Sequence, residues 1–226
     1  MDYTGTEELE ILKHANNYNN FLVNRILRNV HGSKILDFGA GIGTFLEYVK
    51  NALNTDVKGL EIDTKQREYM LAQGHSVYAS IDEVEKESFS TIYSLNVLEH
   101  IPDDQEAINN IFDKLEPGGV FYCYVPAFEV LYSEFDKRVG HERRYTRDDL
   151  VSKVTKSGFK VKSAKYCDFL GFFAALVFKF LDNTGKINPK MVRLFDKVIF
   201  PISSIIDTVT FGYFVGKNIE VVATKP

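Results

Sequence analysis

Apolar residues recur along this chain in two periods that take turns. From residue 7 to 30, Leu9, Leu12, His14, Tyr18, Phe21, Leu22 and Ile26 fall at helical spacing with no proline between them. The spacing predicts one helix, closed by Gly32 as a C-terminal cap. A short apolar strand over 34–38 then runs into Gly39-Ala-Gly-Ile-Gly43. The stretch 44–53 reads as a helix with Phe45, Val49 and Leu53 on one face. Further strands are expected at 57–62, 76–79, 90–95 and 120–125. Helices are expected at 64–72, opened by Asp63 or Thr64, and at 103–115, stopped by Pro117-Gly-Gly119. Two last strands lie near 159–164 and 218–224. Strands alternating with helices at this spacing predict an α/β fold, a mostly parallel sheet with helices on both faces.

About 50 residues, 167–215, separate the last two strands. They hold an apolar run over 169–178 and a stretch from Val192 to Phe214. In the latter, Phe195, Val198, Ile199, Ile202, Ile205, Ile206 and Val209 follow helical spacing, with Asp196, Ser203, Asp207 and Thr210 on the other side. This is an amphipathic helix, expected to kink at Pro201. Neither stretch reaches the ~18 apolar residues of a spanning helix. A lid, a homodimer interface and a peripheral contact with a membrane or a lipid-linked acceptor all remain open. The few lysines and arginines beside the apolar positions speak against strong membrane binding.

With 226 residues, 45% of them hydrophobic, the chain suits one domain over 1–226, with an N-terminal helical cap (1–31) and an apolar helical insertion or lid (167–215). A formal net charge of −4 gives no broad positive field for a phosphate backbone, so a nucleic-acid partner is not expected. Cys123 and Cys167 form no CxxC pair, and no metal-ligand cluster stands out. The start, MDYTGTEELE, is acidic and lacks a secretory pattern, so a cytoplasmic location is expected.

The first strand ends in Asp37-Phe-Gly-Ala-Gly-Ile-Gly43. Glycines here let the backbone turn and approach a ligand, and the next helix offers unpaired N–H groups. In the dinucleotide fingerprint a third glycine would stand where Thr44 is, and the turn would seat a pyrophosphate. The Asp37 carboxylate discourages an anion and suits an ammonium or a sulfonium, both present in S-adenosylmethionine. Glu61, at the end of the second strand, is placed to accept from both ribose hydroxyls, with Asp63 as the alternative.

Further along stand Ser94-Leu-Asn-Val-Leu-Glu-His-Ile101 and Leu115-Glu-Pro-Gly-Gly119. With the glycine turn, these resemble the class I S-adenosylmethionine-dependent methyltransferases. Asn17-Tyr18-Asn19, Val125-Pro-Ala127, Leu131-Tyr132, Gly140-His-Glu-Arg-Arg-Tyr145 and the ending Gly216-Lys-Asn-Ile-Glu-Val-Val-Ala-Thr-Lys-Pro226 extend the resemblance to bacterial members sometimes fused to glycosyltransferases. Phe21 and Asp37 depart from that group, where tryptophan and glutamate are common. The resemblance implies a Rossmann-like, seven-stranded, mostly parallel sheet with a helical insertion before the last strand. It implies that Gly39, Ala40, Gly41 and Gly43 hold the methionine part, Glu61 the ribose, and Ile62 the adenine face. Ser80 and Ile81 would meet the adenine edge, and Asn96 would contact the methionine end through its backbone. Tyr18 would close over the cofactor or simply pack in the core.

The segment after the fifth strand is dense in polar groups. Methyl transfer to a hydroxyl needs a base, and His141 is the natural choice near neutral pH. Arg143, Arg144 and Tyr145 would then orient the acceptor. The other reading staples this loop by ion pairs, Asp136 with Arg144 or Glu142 with Arg138. Either way Thr146 caps the helix that follows. The expected activity is O-methylation of a small molecule, a sugar or a lipid-linked saccharide, yielding S-adenosylhomocysteine without a metal. A nicotinamide-dependent oxidoreductase and a non-catalytic protein of the same fold are the rivals.

Overall fold

The computed structural model describes residues 6–181, 184–210 and 212–226. In chain order the elements are α1 (Thr6–Leu12), α2 (Asn16–Asn29), β1 (Ile35–Phe38), α3 (Thr44–Leu53), β2 (Val57–Leu60), α4 (Thr64–Ala72), β3 (Val77–Tyr78) and β4 (Phe89–Leu95). They continue with α5 (Asp104–Lys114), β5 (Leu115–Pro126), α6 (Glu134–Val139), α7 (Arg147–Lys156), β6 (Lys160–Cys167), α8 (Phe169–Leu181), α9 (Pro189–Leu194), α10 (Phe200–Thr210) and β7 (Asn218–Thr224). Among the described residues seven strands form one sheet in the order β3-β2-β1-β4-β5-β7-β6. All neighbours pair in parallel except β7, which runs antiparallel to both β5 and β6. This is the expected Rossmann-like α/β sheet. The order reverses at β1, which lies between β2 and β4, so a crevice opens outside its carboxyl end.

Both faces of the sheet are covered, which is why the strands read as continuous apolar runs. β5 shows the division. Phe121, Cys123 and Val125 pack with Ile108 and Ile111 of α5 and Leu150 and Val154 of α7. Tyr122 and Tyr124 pack on the other face with Leu22 and Ile26 of α2 and Leu46 and Val49 of α3.

Three differences from the sequence reading have physical causes. The single helix expected over 7–30 is two, broken around His14, which is exposed. The Asn19 side chain donates to the Leu12 and Lys13 carbonyls (3.1 Å each) and so ends α1. The start of α2 is capped from a distance: Asp196 accepts from the Asn17 and Tyr18 amides at 3.2 and 2.9 Å. Secondly, Pro117-Gly-Gly119 does not delay the fifth strand. β5 starts at Leu115 and runs through it, because the Gly118 amide donates to the Lys225 carbonyl and the Lys225 amide to that of Gly119. Thirdly, the irregularity expected at Pro201 lies just before it. A π-helical segment, Phe195–Ile199, joins α9 to α10 just before the proline, with the Phe200 amide donating to the Phe195 carbonyl.

The insertion between β6 and β7 is helical as expected; positions 182, 183 and 211 of it lie outside the described residues. Its polar side faces inward. Asp207 accepts from the Asp168 and Phe169 amides at 2.6 and 3.0 Å. The Ser203 hydroxyl accepts from the Leu170 amide and donates to Asp168 Oδ1. Asp196, Ser203 and Asp207 are all buried. Val198, Ile202, Ile205 and Val209 face solvent. No helix among the described residues is long and apolar enough to cross a membrane.

Candidate active site

The crevice at the carboxyl end of β1 is shaped by its glycines. Gly39, Gly41 and Gly43 have φ of 79°, 58° and 82°. A Cβ on Gly39 would collide with the Val97 side chain, so only glycine lets the turn press against the loop after β4. The Gly39 and Ala40 amides donate to the Leu60 carbonyl, and Gly43 leads straight into α3.

Two buried carboxyl groups flank this turn. Glu61, just after β2, accepts from the Gly41 amide through Oε2 and from the Asp63 amide through Oε1, each at 2.8 Å. Burial raises its pKa, against these bonds. Asp63 itself caps α4, accepting from the Gln66 amide, as its position suggested. Asp37 is 3% exposed, and its Oδ2 has no hydrogen-bond partner. Burial pushes its pKa to about 8; the Tyr93 phenol beside it lowers the value, and the Glu61 charge raises it. A buried acid without a cation at the mouth of a glycine turn fits a ligand that brings positive charge.

The other expected cofactor residues converge on the same edge. Ile62 follows Glu61 with 59% of its surface exposed. Ser80 and Ile81 follow β3, where the Ser80 hydroxyl accepts from the Asp82 amide. Asn96 follows β4 with φ of 53°, its amide held by the Tyr124 carbonyl at 2.8 Å. Tyr18 sits edge-on to Phe200 and Tyr124, with ring centres 5.2 and 6.4 Å away, and burial raises its pKa. Its ring thus packs between α2, β5 and the insertion.

On the far side of the β4 loop the polar segment folds back on itself. α6 ends at Gly140, with φ of 80°, which turns the chain into His141. His141 Nδ1 lies 2.7 Å from Asp136 Oδ1, and its Nε2 lies 3.9 Å from Glu99 Oε1. Asp136 is fully buried and also receives Arg144, Nε at 2.9 Å and Nη2 at 3.1 Å. His141 and Arg144 together hold its carboxyl well below the usual range. Glu99 is fully buried, neither carboxylate oxygen has a hydrogen-bond partner, and burial pushes its pKa to about 8. Burial and the neighbouring His141 pull His100 down to about 4. Glu99, His100 and His141 each bring a ligand-type atom within 4.8 Å of the others. Such a group can exchange a proton or hold a small cation.

The structure therefore sorts the expected acceptor residues. The Asp136–Arg144 pair forms. Arg138 pairs with Glu8 at 2.9 Å rather than with Glu142. Arg143 donates to the Ile101 and Pro102 carbonyls. Tyr145 is 2% exposed and donates to Asp104, which also binds Lys153, in the layer between α5 and α7. Both arginine forks and the Tyr145 hydroxyl are engaged by carboxylate or backbone partners.

Three further residues were not singled out in the sequence. Asp168 Oδ2 and Asn218 Nδ2 are buried without partners, and Lys217 is half-buried beside Asp168, where burial lowers its pKa and the Asp168 charge offsets part of that lowering. They meet because β7 returns beside β6 after the insertion, and no local sequence pattern announces that pairing.

The sequence matches the family described as "Methyltransferase domain" over residues 11–164. The chain belongs to that methyltransferase family. This methyltransferase-family chain is 24% identical over 185 residues to phosphoethanolamine N-methyltransferase 1 of Arabidopsis thaliana, covering 74% of the chain and 36% of that protein. It is 26% identical over 153 residues to the sterol 24-C-methyltransferase of Yarrowia lipolytica, covering 58% and 40%. The chain thus spans well under half the length of these curated relatives. In fold it is similar to a SAM dependent methyltransferase from Archaeoglobus fulgidus, with a TM-score of 0.59 at 15% identity, covering 92% of this chain and 94% of that one. It is also similar to phosphoethanolamine N-methyltransferase 2 of Haemonchus contortus in complex with S-adenosyl-L-methionine, with a TM-score of 0.62 at 17% identity, covering 93% and 52%.

Proposed function

We propose that the chain is an S-adenosylmethionine-dependent O-methyltransferase acting on a small molecule, a sugar or a lipid-linked saccharide. The glycosyltransferase-associated bacterial group it resembles supports such an acceptor. The observation that carries the reading is the 2.7 Å contact between Asp136 and His141 beside the carboxyl of Glu99. Asp136 fixes Nδ1 as the protonated ring nitrogen, which leaves Nε2 as the acceptor of a proton.

The residues fit the cofactor. The buried Asp37 carboxyl, its Oδ2 without a partner, would answer a cationic donor, Glu61 would accept from ribose hydroxyls, and exposed Ile62 would offer an adenine face. Gly39, Ala40, Gly41 and Gly43 would hold the methionine part, with Asn96, Ser80 and Ile81 completing the rim and Tyr18 closing over it. When bound, S-adenosylmethionine supplies a methyl carbon already activated by its sulfonium. The chain's own work is alignment, exclusion of water and proton removal. His141 would take the acceptor hydroxyl proton on Nε2 and become imidazolium, so that the oxygen can accept the methyl group and S-adenosylhomocysteine would be left as product. Asp136 stabilises that imidazolium. Arg144 is a positioning residue acting through Asp136, and Tyr145 anchors the loop.

The test is a calorimetric titration with S-adenosylhomocysteine and NADH, followed by transfer of labelled methyl groups to free sugars, sugar nucleotides, polyprenyl-phosphate saccharides and simple amines. Binding of the first ligand alone, and label on oxygen, is the expected result. NADH binding, or label confined to the amines, overturns it. An absence of transfer to every acceptor together with intact cofactor binding would favour the non-catalytic rival.

A further inference from the structure

The insertion is an amphipathic helical layer turned inside out. Val198, Ile202, Ile205 and Val209 are 50%, 51%, 65% and 72% exposed, and Phe180 and Leu181 at the end of α8 are 79% and 77% exposed. Rotation of α10 cannot hide this face. Asp207 and Ser203 accept the amides that open α8, and Asp196, on the π-helical segment before α10, accepts those of α2. Turning the helix would strand these backbone donors together with the buried carboxylates that now receive them.

The exposed charges on α9 and the π-helical segment have one sign. The acids of the insertion among the described residues, Asp168, Asp196 and Asp207, are all buried. Lys190, Arg193 and Lys197 are exposed, spaced as a helical row beside the apolar row of Met191, Leu194 and Val198. On the other edge a groove of about 180 Å³ lies between α2 and α10, lined by Arg28, Ser204 and Thr208 and by Arg25, which pairs with the buried Glu220 at 3.4 Å. Arg28 is exposed with no carboxylate in ion-pair range among the described residues. This local excess of cations stands out in a chain of net charge −4.

We propose that this face docks onto an anionic phospholipid bilayer, the apolar row entering the interfacial layer and the flanking cations meeting lipid phosphates. A second copy of the chain fits less well. A two-fold contact sets a patch against itself, and here it would bring cation rows together with no exposed acid among the described residues of the insertion to pair them. The α8 end lies beside the loop after β5, where the Lys179 ammonium donates to the Val130 carbonyl, so docking sets the acceptor side of the crevice near the lipid surface.

Docking is independent of methyl transfer, and the test needs no acceptor. The full chain is sedimented at physiological salt with vesicles of phosphatidylglycerol and phosphatidylcholine, or of phosphatidylcholine alone. The chain is expected to pellet with the anionic vesicles only. The double change Ile202→Asp with Ile205→Asp, and the triple change of Lys190, Arg193 and Lys197 to Glu, should each weaken binding at least about ten-fold. Both variants alter exposed side chains, and unchanged S-adenosylhomocysteine affinity checks their folding. The proposal is overturned if the native chain stays in the supernatant with anionic vesicles, if the aspartate variant binds as well as the native chain, or if the face instead forms a dimer that the same variant breaks.

Discussion

Replacing Asp37 by asparagine separates the electrostatic argument for the crevice from its shape. The native carboxyl has a pKa of about 8 against an ordinary 3.8, through burial with no cation at hand. Between those values the unfolded chain is ionised while the folded one keeps its proton. The unfolded state then binds fewer protons, and stability falls as pH rises through that window. At pH 7 the cost is roughly three pH units, about 4 kcal/mol, and it vanishes near pH 4. The asparagine side chain has the same shape and never ionises. Urea unfolding of the ligand-free chain from pH 4 to 8 should show the Asp37→Asn variant gaining stability over the native chain as pH rises, the two converging at the acid end. Glu99, with a pKa near 8, and Asp207, near 6, tilt both curves alike, so the difference reports position 37 together with its coupling to Glu61. The same carboxyl should ionise when a cation arrives beside it. S-adenosylmethionine binding at pH 7 should therefore release a proton from the native chain and not from the variant, read as a dependence of binding heat on buffer ionisation enthalpy, and the variant should bind more weakly. A difference curve that stays flat with pH, or equal donor affinity, would refute the reasoning.

Glu61→Gln removes the charge that holds the Gly41 amide, and S-adenosylhomocysteine affinity should fall by roughly ten-fold or more in calorimetry; unchanged affinity would take Glu61 off the ribose. His141→Gln should lower turnover by on the order of a hundred-fold with little change in cofactor affinity, and unaltered turnover would remove it as the base. Chelation with EDTA should leave turnover intact; loss restored by added divalent metal would assign Glu99, His100 and His141 to an ion instead. Asp196→Ala leaves two α2 amides without an acceptor and should destabilise the fold by about 1–2 kcal/mol in urea unfolding, a cost that an ordinary surface acid would not show.

What the sequence revealed and what it hid divide along one physical line. α3 and α4 begin and end where expected, because their ends are encoded locally: Gly43 at φ 82° leads into α3, and the Asp63 side chain accepts from the Gln66 amide to open α4. The glycine turn, Asp37 and Glu61 were equally visible, since strand ends in a parallel sheet place them together whatever lies elsewhere. The break at His14 was invisible because the partner that caps α2, Asp196, lies 179 residues from Asn17. The same holds at the acceptor side. His141 stood out as a residue type, but its neighbour Glu99 comes from another loop, and Tyr145 and Arg143 bind Asp104 and backbone carbonyls that no spacing rule foretells.

The insertion shows the same line from the other direction. Helical periodicity identified both of its faces correctly and left open which one looks outward. Polar residues on a helix ordinarily face water because burial without partners is costly. Here the partners exist, and they are main-chain amides. The first turns of α2 and α8 each offer donors that no local side chain satisfies fully, and Asp196, Ser203 and Asp207 supply the missing acceptors. Satisfying those donors fixes the helix with its carboxylates inward, so the exposed apolar row follows from the hydrogen bonding of the fold. A single aspartate at 196 or 207 thus bears on two properties at once, the integrity of the wall behind Tyr18 and the direction in which the chain turns its least soluble surface.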